Sequence, residues 1–398
     1  MSLGRRRVAV VFGGRSVEHD VSIITAQQVM AVLAERHDVE PVYIDGNGRW
    51  WSGESLLHIQ SFASQPPVGA NPLELRLGAR AAFVELGGRR GRKERLLDID
   101  IVVNAVHGTG GEDGSLLGAL ELAGIPYVGG GVAAAAVAMD KHLSKAVAKA
   151  AGIDVLDHER IERSSWEASP DAVVERVRER FEGATIVKPA TLGSSIGVQR
   201  CDDDDDLHEA LELAFELDRQ AIVEPFATGA VELNVAVIGR PGGDLTVSEV
   251  ERPLGGGEGL SFDDKYLRGA AKGKAGPAKS GGAKGSGMVA QDRVIPADVD
   301  PACRAAVQEC ALAAHRALRF AGVVRYDFFL MDEGARIVLN EPNTVPGSFA
   351  FYLFEHVGIP FTDLMESLLE IGLAEAREER STTRVFDSSL LNLHLPKQ

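Results

Sequence analysis

The chain has 398 residues, 45% of them hydrophobic and 25% charged, with a net charge of −16; at roughly 150 residues per domain this predicts two or three packed units with ample core material. The acidic balance argues against a nucleic-acid footprint or an anionic membrane surface, and no apolar run approaches the ~20 residues of a bilayer span. Cys201, Cys303 and Cys310 follow no metal spacing and are too few for a disulfide framework, so a cytoplasmic protein with reduced thiols is expected.

The amino terminus is basic through Arg7, but it runs into a short strand pattern instead of the longer apolar stretch of a signal peptide. Val8 to Phe12, ended by Gly13-Gly14, suits a buried parallel strand. Asp20 or Ser22 is placed to cap a helix over Ile23 to Glu35, and Pro41 to Asp45 and Ile99 to Val106 predict further strands. The loop His107 to Gly114, a helix over Leu116 to Ala123 and a short strand near Tyr127-Val128 follow. Strands alternating with helices predict a parallel α/β sheet over residues 1–130, with its ligand site at the strands' carboxyl ends.

A helix at Lys141 to Ala150 opens a second region. The strand ending Ile186-Val187-Lys188-Pro189 leads into the Gly/Ser turn Thr191 to Gly197, and Ile222-Val223-Glu224 is another strand. Residues 131–222 are expected to form a central lobe and 223–398 a carboxyl-terminal lobe. The latter carries strands at Leu233 to Ile238, Val323 to Leu330 and Arg336 to Leu339, with a Gly/Ala/Lys-rich insertion at about 269–288 that is too poor in apolar residues to be other than mobile.

Several motifs invite misreading. The loop from His107 begins like a dinucleotide fingerprint, but Asp113 stands at the third glycine. Gly193-Ser194-Ser195-Ile196-Gly197 matches a nucleophile elbow without its supporting oxyanion motif. The acidic run Asp202 to Asp206 precedes a helix, where carboxylates cap free amides and favour the dipole.

Chemistry concentrates near the carboxyl end. Arg325 and Asp327 fall on one face of a strand, and Glu341 and Asn343 on one face of the strand that returns after Asp332-Glu333-Gly334. A hairpin would join Asp327, Glu341 and Asn343 into the oxygen-rich cluster that Mg²⁺ needs when bridging ATP phosphates. Arg325 beside them would steady a developing negative charge. The bland alternative, a surface hairpin with an incidental ion pair, accounts poorly for carboxylates so close together on an apolar strand pair. Lys188 ends an apolar strand before a turn whose amides can cradle phosphate. Lys141 is a second isolated cation in an apolar setting.

Taken together, Phe12 to Ser22, His107 to Gly114, Gly124 to Gly129, Ala138 to Lys141, Val187 to Ser195, Lys265-Tyr266-Leu267, Arg325 to Phe328 and Asn340 to Thr344 resemble, in order, the D-alanine–D-alanine ligases of the ATP-grasp superfamily. The resemblance implies an amino-terminal α/β domain followed by a two-lobed ATP-grasp α+β domain, and a cytoplasmic, homodimeric enzyme of peptidoglycan precursor synthesis. It also implies ATP and two Mg²⁺ ions, with Mn²⁺ able to substitute. On this likeness Glu18 holds the first substrate's ammonium in a trio with Ser194 and Tyr266, and His107 lies near its carboxyl group. Lys141, Lys188 and Lys265 bind phosphates, while Glu224, Phe226 and Glu232 surround adenine and ribose. Arg325 stabilises the oxyanion, and Asp327, Glu341 and Asn343 hold the metal. Lys265 and Tyr266 belong to a loop that closes over the reactants. Gly347, Ser348 and Tyr352 fall in the acceptor segment. There the family's Thr and Ser positions are occupied by Ala350 and Tyr352, so the acceptor is left open between D-alanine and another amino or hydroxy acid. A non-catalytic nucleotide-binding homologue is the remaining alternative.

Overall fold

The computed structural model describes residues 4–77, 82–86, 94–254 and 293–383. Lys265, Tyr266 and the insertion at 269–288 lie outside the described residues.

The first sheet comprises β1 (Arg7–Gly13), β2 (Asp38–Ile44), β3 (Trp50–Ser52), β4 (Asn71–Arg76), β5 (Ala82–Glu85), β6 (Arg95–Leu97), β7 (Ile101–Asn104) and β8 (Tyr127–Val128). Its order is β6-β5-β4-β3-β2-β1-β7-β8. β2, β1, β7 and β8 are parallel, as the sequence predicts. The strands from β3 to β6 extend it antiparallel, a departure from the all-parallel expectation. Parallel pairing needs a crossover of a dozen or more residues, usually a helix; the connections among these strands carry no helix beyond 3₁₀ turns among the described residues.

Helix α1 (His19–Leu33) begins earlier than predicted, and neither Asp20 nor Ser22 caps it. Ser22 instead accepts from Gly13 N at 2.8 Å and donates to Ala105 O at 2.6 Å, tying the ends of β1 and β7 together. α2 (Ser115–Ala123) closes this unit, and α3 (Val132–Met139) and α4 (Lys141–Ala150) follow.

The second sheet, β11-β10-β12-β9, consists of β9 (Glu159–Glu162), β10 (Thr185–Pro189), β11 (Gln199–Cys201) and β12 (Gln220–Pro225). It is covered by α5 (Arg163–Ala168), α6 (Pro170–Arg180) and α7 (Asp204–Leu217). Asp203 caps α7 by accepting from Asp206 N, so the acidic run does the capping expected of it.

The third sheet, β14-β13-β17-β18, joins β13 (Val231–Gly239), β14 (Leu245–Val247), β17 (Gly322–Met331) and β18 (Arg336–Asn343). A small ribbon of β15 (Arg252–Pro253) and β16 (Arg293–Val294) lies beside it. Helices α8 (Pro301–Leu318), α9 (Phe351–Glu355) and α10 (Phe361–Ser381) complete the chain. Leu233, Val235, Val324, Tyr326 and Phe328 form one face of this sheet and pack with α8. Ala134, Ala138 and Ala148 of α3 and α4 join the same cluster, so these helices pack with the third sheet. The last helix returns to the beginning: Leu364, Met365 and Leu368 share a cluster with Val10, Ile23 and Met30. No helix of the described residues is long and apolar enough to cross a membrane.

Candidate active site

Strand register builds the centre of the site. Asp327 stands opposite Asn234 on one side and Glu341 on the other, and Arg325 opposite Ala236 and Asn343. Directly opposed residues share a face, as do residues two apart, so Asn234, Arg325, Asp327, Glu341 and Asn343 meet on the face away from the α8 core. Arg325 grips Asp327 through Nε and Nη2, both at 2.7 Å, and both residues are buried at 6% and 2% exposure. Asn343 Nδ2 donates to Asp327 Oδ2 at 3.1 Å. The donor set of two carboxylates and an amide oxygen is hard and oxygen-only, which fits a Mg²⁺-type cation. No group of three or more His, Cys, Asp or Glu placed to hold a metal ion is present among the described residues, so Asn343 and substrate oxygens would have to complete the coordination.

The ladder slips between Asp327 and Phe328, whose partners are Glu341 and Leu339. Asn340 is therefore the bulged residue, and a bulge re-aims its side chain. Asn340 Oδ1 accepts from Lys188 Nζ at 2.9 Å, which draws the second sheet's lysine to the third sheet's edge.

Lys188 also bonds Glu224 at 2.7 Å. Lys141, at the first position of α4, donates to Leu192 O and lies 3.7 Å from Glu341 Oε2. A third lysine was not anticipated: Lys145, four residues on and so on the same helix face, reaches Glu224 Oε1 at 2.8 Å. Burial pushes the Glu224 carboxyl up, but Lys145 and Lys188 together outweigh it and hold the group at about 2. Sequence reading found no signal for Lys145, because a lysine on an amphipathic helix usually faces water. Phe226, just past β12, is half-buried with the Arg200 guanidinium 4.6 Å from its ring centroid. Glu232 lies on β13 opposite Phe329.

At the other end of the cleft, Glu18 precedes α1 and is buried, and Ser194 donates to its Oε1. Two glycines make room for this pair. A side chain at Gly108 would stand 2.6 Å from Glu18 Oε2, and one at Gly193 would stand 3.1 Å from it. His107 is buried and contacts Thr25 Oγ1 through Nε2 at 3.0 Å. Burial, then the charge of Arg325, lowers its pKa to about 4, so the ring is neutral near pH 7. Glu112, also unanticipated, accepts from Gly108 N at 3.1 Å and Thr344 Oγ1 at 3.2 Å. Burial and the neighbouring Glu18 raise its pKa. It sits in the loop whose resemblance to a dinucleotide fingerprint drew the notice instead.

After Gly347, the residues Ser348, Phe349 and Ala350 take left-handed backbone at φ 53°, 55° and 52°. Ser348 Oγ donates to Gln28 Oε1. The turn delivers Tyr352 into the interior, where its hydroxyl donates to Glu251 Oε1 at 3.0 Å. Thus, apart from Lys265 and Tyr266, the residues singled out from sequence as catalytic, metal-binding or phosphate-binding are drawn together by contacts that run between the three sheets.

Comparison with known proteins agrees with this geometry. The family model described as "D-ala D-ala ligase N-terminus" matches residues 7–130, and "D-ala D-ala ligase C-terminus" matches 147–280 and 282–370. The chain is 34% identical over 394 residues to the D-alanine–D-alanine ligase of Chlorobaculum tepidum, covering 96% of this chain and 99% of that protein. It is 31% identical over 398 residues to that of Geobacillus thermodenitrificans, covering 96% and 100%. Among solved structures, the D-alanine–D-alanine ligase of Coxiella burnetii superposes with a TM-score of 0.74 at 26% identity, over 95% of this chain and 98% of that one. The VanG D-Ala:D-Ser ligase of Enterococcus faecalis gives 0.74 at 27%, over 92% and 99%. With both halves matched and an ATP-grasp fold in place, this chain belongs to the D-alanine–D-alanine ligase family of ATP-dependent ligases.

Proposed function

We propose that this chain joins two D-alanines at the expense of ATP, in the cytoplasm and as a homodimer, to supply a dipeptide for peptidoglycan precursors. The observation that carries the reading is the opposition of Glu18 and Ser194, at one end of the cleft, to Lys141, Lys188 and the Asp327-Glu341-Asn343 cluster at the other, with Arg325 next to the cluster. Glu18 holds the donor's ammonium and Ser194 fixes Glu18. Neutral His107 contributes a polar contact for the donor's carboxyl end without adding charge. Lys141, Lys188 and Lys265 hold the phosphates, and Glu224, Phe226 and Glu232 the adenine and ribose. The donor carboxylate attacks the γ-phosphorus and ADP departs; the acceptor's neutral amine then attacks the acyl phosphate, and phosphate leaves. Arg325 stabilises the oxyanion of that second step. Asp327, Glu341 and Asn343 would hold two Mg²⁺ ions, or Mn²⁺, which would supply charge neutralisation for phosphoryl transfer. Tyr266 with Lys265 excludes water from the activated acid.

A second reading, in which D-serine or another acid is the acceptor, is favoured by Tyr352 standing where a small hydroxyl is expected and by the D-Ala:D-Ser ligase among the structural neighbours. The test is ADP release with D-alanine alone and with added acceptors, the products identified by mass. D-alanyl-D-alanine from D-alanine alone supports the leading reading. Turnover only with a second acceptor moves the assignment to the other, and no D-alanine-dependent ADP release sinks both. Light scattering of the purified chain checks the dimer.

A further inference from the structure

Next to Arg325 lies a second buried ion pair that the reaction as described leaves unused. Glu251, just before β15, is almost wholly buried and accepts from Asn234 Nδ2 at 3.2 Å, Tyr352 Oη at 3.0 Å and Arg293 Nη1 at 2.8 Å. The Arg293 guanidinium lies 4.0 Å from the centroid of the Tyr352 ring. Asn234 also stands opposite Asp327 on β17, which places the Glu251 cluster beside the Arg325–Asp327 pair. Arg293, stacked on the Tyr352 ring, and Arg325 are thus each held beside a carboxylate. A buried ion pair rarely adds stability over an apolar wall of the same volume, so stability alone does not account for this one. A guanidinium has five N–H donors in a fixed fork that matches a carboxylate. Glu251 and the tyrosine ring hold that fork in place beforehand, which lowers the cost of ordering it on binding.

We propose that Arg293 and Tyr352 determine acceptor specificity: Arg293 takes the acceptor's carboxylate, and the Tyr352 ring limits the acceptor's side chain to methyl or hydroxymethyl size. This rests on the ligase reading above. It predicts an α-amino or α-hydroxy acid as acceptor and excludes amines that lack a carboxylate.

The experiment separates the two halves of the reaction. Hydroxylamine traps D-alanyl phosphate as the hydroxamate and needs only the donor, whereas dipeptide formation needs both substrates. Arg293→Met should raise the acceptor's KM about tenfold to a hundredfold while the donor's KM in the trapping assay shifts by less than about twofold. Arg293→Lys should recover part of the loss, which a merely structural role would not predict. Tyr352→Ala should admit D-norvaline or D-phenylalanine as acceptors, seen by dipeptide mass, and Tyr352→Phe should keep the small-acceptor limit. An unchanged acceptor KM in Arg293→Met and Arg293→Lys, or no new acceptor in Tyr352→Ala, overturns the proposal. Absence of hydroxamate from the unaltered protein would instead overturn the ligase reading, so the two failures are told apart.

Discussion

The strands that carry Asp327, Glu341 and Asn343 and the segments that carry Tyr352 and Arg293 are built by different means. Asp327, Glu341 and Asn343 are placed by ladder register on two adjacent strands, so a one-residue slip would turn them from their shared face. Tyr352 and Arg293 are placed by three successive left-handed residues and a two-residue ribbon, elements that shift more readily than a sheet. On the roles proposed above, the shared step of the reaction stands on rigid scaffold and the variable choice of acceptor on a turn.

The strongest test of that contrast strikes the rigid side. Glu341→Gln should lower both hydroxamate and dipeptide formation on the order of 10⁴-fold, about 5 kcal/mol of barrier, whereas Arg293→Met should impair the acceptor step. Equal loss of both steps in the two variants would erase the distinction. Lys145→Met leaves Glu224 buried with Lys188 as its remaining cation and should cost about 4 kcal/mol of folding stability, read by urea unfolding; a loss under about 1 kcal/mol would mean that Lys188 alone suffices.

Acid should then probe the seam between donor and acceptor ends. Burial, then Arg325, lowers His107 to about 4, and burial does the same for His315 beneath β17. Both are depressed below the unfolded value near 6.5. The stability they contribute is therefore intact above about pH 6.5 and lost as pH falls toward 4, by up to about 3 kcal/mol each. A flat melting temperature between pH 7 and 4 would contradict this. The smallest effect belongs to the turn: Ala350→Gly relieves a left-handed alanine and should stabilise by about 1 kcal/mol, with calorimetry as the check.

The same difference governs what the sequence could reveal. Alternation along Val323 to Phe329 and Ile337 to Asn343 exposes the shared face because strand periodicity is local. The bulge at Asn340 is not local, and neither is the Glu251 cluster, whose partners lie 17, 42 and 101 residues away. Lys145 was hidden for a related reason, since only the fold brings Glu224 over its helix. The antiparallel extension from β3 to β6 escaped because strands of three to six residues leave too short a pattern. The interlocking of α10 with the first sheet likewise depends on contacts between the two ends of the chain.

Among the described residues, five cations near the site each already face an anion of the protein: Lys188 and Lys145 with Glu224, Lys141 with Glu341, Arg325 with Asp327, and Arg293 with Glu251. On the proposed reading, an arriving triphosphate therefore meets paired charges instead of a positive well. Such an encounter releases few small ions to solution, so nucleotide capture should vary little with ionic strength.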